Sequence, residues 1–194
     1  MKIVLNAEGA LALKEVCNAA SSDAVHPILC GALVEVEGGK VFATATDSYI
    51  LAHRSLGTDE APSEDGSFIV DAAVLGKVKL PKYGTVTLTT DDATGWATLA
   101  AVDGSVTVRL IVGEFPRYRQ LVPAADKMGE WNGAIGLSPA LFLRAAKALG
   151  AGGRGDVSGV VLAAGDPTKP MVIRAPGASA EDYAVQMPIR RRPA

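Results

Sequence analysis

The chain repeats one pattern three times, and that repetition limits the folds open to it more than any single motif does. Each pass reads as a short apolar strand, a helix and then three strands, and successive passes start about 65 residues apart. The first opens at Met1-Lys2-Ile3-Val4-Leu5, the second at Ser67-Phe68-Ile69-Val70 and the third at Gly133-Ala134-Ile135-Gly136-Leu137. A unit this small buries its apolar face only against a neighbour, so repetition on this scale points to a stacked or closed array. The expectation is an α+β scaffold or ring.

In the first unit, Lys2–Asn6 reads as a strand and Ala7 to about Ala20 as a helix, with Leu11, Leu13, Val16 and Cys17 on its apolar stripe. His26-Pro27 favours extended backbone, because the residue before proline avoids the helical region. Strands are expected at Ala32–Glu37, Lys40–Thr46 and Tyr49–Leu56, the first two joined by a Gly38-Gly39 turn. A polar linker, Thr58 to Gly66, leads to the second unit. There a strand at Phe68–Val70 precedes a short helix capped by Asp71, and strands follow at Thr85–Thr90, Trp96–Val102 and Ser105–Ile111. The third unit has Ser138-Pro139 opening a helix over Ala140–Leu149. Its strands are expected near Val157–Ala163, Met171–Arg174 and Tyr183–Ile189.

Composition narrows the function classes. The chain is 48% hydrophobic and 21% charged, enough apolar content for a core, and no apolar run approaches the ~20 residues that span a bilayer. No signal peptide is legible at Met1, and Cys17 and Cys30 lack CxxC spacing, which fits buried thiols in a reducing cytoplasm. The net charge of −2 argues against indiscriminate nucleic-acid binding but leaves room for a local basic face. Such a face is suggested by Lys14 on the first helix, Lys77 and Lys79 on or after the second, and Arg144 and Lys147 on the third. The acidic residues Asp59, Glu60, Glu64, Asp65, Asp91 and Asp92 fall in linkers and turns.

No catalytic or metal constellation is legible. Gly150-Ala151-Gly152-Gly153-Arg154-Gly155 follows a helix instead of opening one and lacks a Lys-Ser/Thr, so it is no P-loop. His26 and His53 have no ligand-spaced partners for zinc. Asp47-Ser48 lacks a nucleophile elbow and is expected to stabilise a tight turn by side chain-to-backbone hydrogen bonds. No cofactor is expected, and an enzyme ranks last among the readings.

Three segments remain: Pro27-Ile28-Leu29-Cys30-Gly31 leading to Ala45-Thr46-Asp47-Ser48-Tyr49-Ile50-Leu51-Ala52; Gly113-Glu114-Phe115-Pro116-Arg117-Tyr118-Arg119-Gln120-Leu121-Val122-Pro123; and Val185-Gln186-Met187-Pro188-Ile189-Arg190. In this order they resemble the β subunit of DNA polymerase III, the bacterial replication sliding clamp. The first two match that family's middle domain and the third its C-terminal end. The resemblance implies a DNA-clamp fold of three β-α-β-β-β units, with antiparallel sheets outside and helices lining a central hole. Residues 1–123 would form one clamp domain (units 1–64 and 65–123), and residues 124–194 half of another.

The resemblance also implies roles. The pocket that docks short Gln/Leu/Phe-containing motifs of polymerases and clamp loaders would include Thr46, Ser48, Tyr49 and Leu51. Pro116, Gln120 and Leu121 would come from the second segment, and Met187, Pro188, Ile189 and Arg190 from the third. Ile50 stands where the family has arginine, and Gln120 replaces another basic residue, which points to a divergent member with its own, phage-type partners. Double-stranded DNA would pass through the hole unread, its phosphates met by Lys14, Lys77, Lys79, Arg144 and Lys147. The family's rings hold six domains of two units each. Three units per chain then suggest four copies closing a ring, with third units pairing between chains, or, as the competing arrangement, a trimer. The alternative function is a clamp-fold protein-binding adaptor that does not encircle DNA.

Overall fold

A computed structural model of the chain describes residues 1–91, 93–122, 135–151, 161–163, 168–175 and 178–189. The first unit contains β1 (Lys2–Leu5), α1 (Ala7–Val16), β2 (Gly31–Glu37), β3 (Lys40–Thr46) and β4 (Ile50–Leu56). The second contains β5 (Gly66–Asp71), α2 (Ala72–Leu75), β6 (Val86–Asp91), β7 (Trp96–Ala101) and β8 (Gly104–Arg109). α3 (Pro139–Ala148), β9 (Val161–Ala163), β10 (Met171–Arg174) and β11 (Tyr183–Gln186) follow.

The first two units exchange their opening strands. β1 pairs with β6 of unit two, and β5 pairs with β2 of unit one, so neither unit can form its sheet alone. The result is a four-stranded sheet, β1-β6-β7-β8, and a seven-stranded sheet, β5-β2-β3-β4-β11-β10-β9, with every pairing antiparallel. The larger sheet crosses from unit one to unit three through β4 and β11, the last strands of their units, in the register His53↔Tyr183, Leu51↔Val185.

Alternation sorts the two faces of this sheet. Val34, Val41, Ala43, Ile50, Ala52 and Ala184 point inward, into a core shared with Ile3 and Leu5 of β1, Leu88 and Leu99 of the smaller sheet, and the apolar faces of α1 and α3. Leu33, Leu51, Tyr183 and Val185 point outward, where Tyr118 and Ile69 join them in a second cluster. Helices therefore cover one face of the large sheet, and a folded-over segment of chain covers the other.

The helices form where local chemistry caps them. Asn6 Oδ1 accepts from Gly9 N–H at 2.8 Å and opens α1, while Asp71 Oδ1 accepts from Ala73 and Val74 N–H and opens α2. Ser138 caps α3, with Pro139 in its first turn. Several local readings need correction, and the last strand, expected to reach Ile189, ends at Gln186. α1 ends at Val16 and tightens into a 3-10 turn over Cys17–Ala19, so the helix does not run on to Ala20. Pro27–Cys30 forms a 3-10 turn instead of extended chain. Proline restricts the residue before it; Pro27 itself sits at a helical start, which its fixed φ favours.

Candidate functional site

The outer face of the β4–β11 joint carries a cavity of about 230 Å³. Its floor is Thr46, Leu51 and Val185, outward-facing residues of β3, β4 and β11. One wall is Pro116, Tyr118 and Leu121, from the segment that crosses the outer face after β8. The opposite rim is Ser48, Tyr49 and Met187, with Leu29 at one end. Tyr49, Leu121 and Met187 are 64%, 49% and 41% exposed, an apolar rim left open to solvent. A cavity of this size takes one or two apolar side chains of a peptide, and the unbranched Met187 thioether can adjust to their shape.

Each wall is fixed from behind. Residues Tyr118–Leu121 form a 3-10 turn, which stacks Tyr118 and Leu121 on one side and turns Gln120 away to solvent. Tyr118 Oη donates to Glu35 Oε2 at 2.6 Å, and Arg119 Nη2 donates to Glu37 Oε2 at 2.7 Å, pinning the segment to β2. Behind Tyr118 lies His53, stacked on Phe42 at 5.2 Å and tilted against Tyr183 at 5.1 Å, with Nδ1 2.8 Å from Thr44 Oγ1. Burial, with the Arg119 cation nearby, pushes the His53 pKa down to about 4. His53 is therefore a neutral packing residue at neutral pH.

The opposite rim depends on the β3–β4 turn. Asp47 Oδ1 accepts from Tyr49 N–H at 2.9 Å and from Ile50 N–H at 2.8 Å, the side chain-to-backbone role expected of this pair. The turn places Ser48 at φ 76°, in the left-handed region, directly on the pocket rim. The other carboxylate oxygen, Asp47 Oδ2, accepts from Arg144 Nη1 of α3 at 2.5 Å. Met187 N–H donates to Tyr49 O at 2.9 Å, so unit three closes the rim that unit one begins.

With this geometry in place, comparison with known proteins is decisive. Residues 7–117, more than half of the chain, match the family described as DNA polymerase III beta subunit, central domain. The chain belongs to the DNA polymerase III β subunit family. The beta sliding clamp of Streptomyces coelicolor is 30% identical over 144 residues, covering 71% of this chain and 37% of that relative. The sliding clamp of Bacillus subtilis superposes with a TM-score of 0.76 at 17% identity over 99% of this chain, and the β subunit of Borrelia burgdorferi with 0.80 at 13% over 98%. The fold is thus the sliding-clamp fold, α+β with antiparallel sheets and few helices. This chain spans about 37% of the curated relative's length and about 65% of the solved structures'.

Of the pocket residues expected from the family resemblance, Thr46, Ser48, Tyr49, Leu51, Pro116, Leu121 and Met187 line one cavity. Three expected residues do not. Gln120 faces away, for the reason given by the 3-10 turn. Pro188 and Ile189 leave the cavity because the chain turns there, with Ile189 N–H donating to Gly136 O at 2.8 Å. Arg190 lies outside the described residues. The lining also includes Ile50, Tyr118, Val122 and Pro170, which the sequence reading did not assign, together with Leu29 and Val185. Strand alternation would have found Val185 from Met187, and the i, i+3 relation would have found Tyr118 from Leu121.

The cations expected to face DNA divide into two kinds. Lys14 Nζ donates to Val78 O at 2.7 Å, and Arg144, besides Asp47, donates to Asn18 O and Ala20 O, so both are held by the protein. Lys77 and Lys79 border a separate groove beside α2, and Lys147 sits in the last turn of α3. Ile50 borders the cavity yet is 2% exposed, its side chain in the inner core. Among the described residues no group of three or more His, Cys, Asp or Glu is placed to hold a metal, and no helix is long and apolar enough to cross a membrane.

Proposed function

We propose that the protein is a DNA sliding clamp: a homo-oligomeric ring that encircles double-stranded DNA without reading its sequence and tethers a polymerase and clamp loader through the pocket at the β4–β11 joint. It performs no chemistry of its own. The observation that carries this reading is the assembly of that pocket. Three segments distant in sequence converge on the outer face of the sheet, and their exposed apolar side chains border a cavity of side-chain size. The helices occupy the opposite face, so a partner held in the pocket does not compete with whatever α1 and α3 face.

Residues 1–123 act as one clamp domain and residues 124–194 as half of another. Four copies then complete twelve units, with third units pairing between chains; a trimer is the competing arrangement. DNA phosphates are met by Lys14, Lys77, Lys79, Arg144 and Lys147 and by water, weakly enough to allow sliding. One observation favours the second reading, a clamp-fold adaptor that does not encircle DNA: Lys14 and Arg144 spend their donors on the protein itself.

The two readings separate experimentally. A fluorescent peptide carrying a Gln/Leu/Phe-containing motif should bind saturably, which both readings require. On nicked circular DNA with a loader, the clamp should be retained and then lost when the circle is cut. Peptide binding without topological retention would leave only the adaptor; no peptide binding would remove both.

A further inference from the structure

The outer face of the large sheet carries a second hollow, at the other end of the segment that walls the β4–β11 pocket. Residues 113–115 of that segment border this groove, and residues 116, 118, 121 and 122 border the pocket. The groove lies at the β5 edge and has a volume of about 630 Å³. Leu33 and Ile69, paired across β2 and β5, floor it, and Glu35 and Ser67, the next pair on the same face, border one end. Ile111 and Phe115 border the side opposite them.

The β5 edge is covered only in part. The two-residue hairpin closing on Glu37↔Lys40 turns the backbone groups of Leu33, Glu35 and Glu37 toward β3. Those of Val34 and Val36 therefore face β5 and meet Phe68 and Gly66, which leaves Ser67 and Ile69 with their backbone groups turned outward. Ile69 O is taken by Ile111 N–H at 2.8 Å, beside the Val70↔Leu110 bridge. The covering chain then leaves the edge at Gly113, which sits at φ 152° and is pressed so closely on Ile28 that an added Cβ would come 2.5 Å from Ile28 Cδ1. Ser67 is exposed, and among the described residues no backbone group pairs with its outward N–H or C=O.

The charge of the groove has one sign. Glu35 and Glu114 line it, and no lysine, arginine or histidine does. Glu35 accepts from Tyr118 Oη and lies 3.6 Å from Arg119, whereas Glu114 is exposed and makes no ion pair among the described residues. Before Ser67 the chain adds Glu64 and Asp65. Val112, 94% exposed, supplies apolar surface at the rim. We propose that this groove docks an extended peptide segment of a partner protein in which basic and apolar residues alternate. The segment adds a short strand to the β5 edge at Ser67, lays apolar side chains over Ile69, Ile111 and Val112, and sets lysine or arginine against Glu35 and Glu114. A purely apolar segment would desolvate the two carboxylates without compensation, and an acidic one would add like charge, so the chemistry of the occupant follows from the lining. The site is separate from the pocket at the β4–β11 joint and does not depend on DNA encirclement.

Fluorescence anisotropy with the full chain and a labelled peptide, Lys-Val-Lys-Ile-Lys-Val-Lys-Ile, tests the assignment. Binding should saturate and weaken with added salt, and the same peptide with glutamate in place of lysine should not bind. Glu114→Lys should weaken binding at least about fivefold, while Asp103→Lys, the same charge change at an exposed turn elsewhere, should leave it within about twofold. Ser67→Pro removes an N–H that β2 does not use, and should weaken binding to a similar extent with the circular dichroism unchanged. Leu121→Ala with Met187→Ala should have no effect. Equal weakening by Glu114→Lys and Asp103→Lys would mean diffuse attraction only and would overturn the proposal, as would unchanged affinity in Glu114→Lys or in Ser67→Pro. Loss of binding in the double variant would place the peptide in the other pocket, and a fall in native mass in Glu114→Lys would give the groove to a second copy; either result overturns it. None of these outcomes turns on the Gln/Leu/Phe-containing peptide or on DNA retention, so this proposal and the clamp reading fail separately.

Discussion

Arg144 shows how one side chain can be read two ways. From its place on α3 it looks like a phosphate contact, yet it donates to Asp47, Asn18 O and Ala20 O and so ties α3 to the turn that carries Ser48 and Tyr49. Arg144→Ala should therefore loosen the pocket rim. A charge-assisted bond of this kind contributes roughly 1.5–3 kcal/mol, and part of that loss should appear as a tenfold or greater fall in peptide affinity by fluorescence anisotropy. Weaker DNA retention with unchanged peptide affinity would return Arg144 to the DNA face. His53 gives a second prediction at this scale. Its folded pKa of about 4 lies below the unfolded 6.5, so the unfolded chain binds more protons between those values. Stability attributable to neutral His53 is intact above pH 6.5 and is lost as pH falls through 4, on the order of 3 kcal/mol in all. His53→Asn should be less stable than wild type at pH 7, and the gap should narrow toward pH 4 in urea unfolding curves. A constant gap would contradict a buried neutral histidine.

The elements were legible to different degrees, and the reasons are local. The β2–β3 hairpin was readable to the residue because Gly38-Gly39 supplies two positive φ angles, 58° and 77°, at a two-residue turn. α3 was readable from Ser138-Pro139, where cap and proline coincide. The exchange of β1 and β5 between units was not readable, because strand order is a non-local choice that alternation within a strand does not encode. Seven of the residues picked out by the family resemblance border one cavity, while Gln120, Pro188 and Ile189 do not, because a 3-10 turn and a chain reversal override linear spacing there. Two element-scale outcomes follow. Leu121→Ala with Met187→Ala removes apolar contact from both rims, about 1–2 kcal/mol each, and should abolish measurable peptide binding while the oligomer stays intact. Unchanged affinity would mean that the groove is wrongly placed. Arg54, on β4, pairs with Glu15 of α1 at 3.0 Å and lies 4.0 Å from Asp182 beside β11, so it links the units across the joint. Arg54→Ala leaves the partly buried Glu15 carboxylate without its cation, while Asp182 keeps the Ser55 N–H, and should lower stability by roughly 1–3 kcal/mol, seen as a drop in urea midpoint; a drop within error would show that this ion pair contributes nothing to the joint.

For the whole molecule, the way its parts are joined is the property that matters most. Two units exchange strands and complete each other, while α3 and strands β9 to β11 attach through the β4–β11 pair, a shared apolar core under α1 and α3, and the polar links from Arg54, Arg144 and Lys40. The most direct test of this account is native mass spectrometry of the purified chain across a concentration series. The account predicts a species of four copies of the 19.9 kDa chain, populated at micromolar concentration and exchanging with a dimer below it. A species of three copies, or a monomer that persists at every concentration, would contradict it.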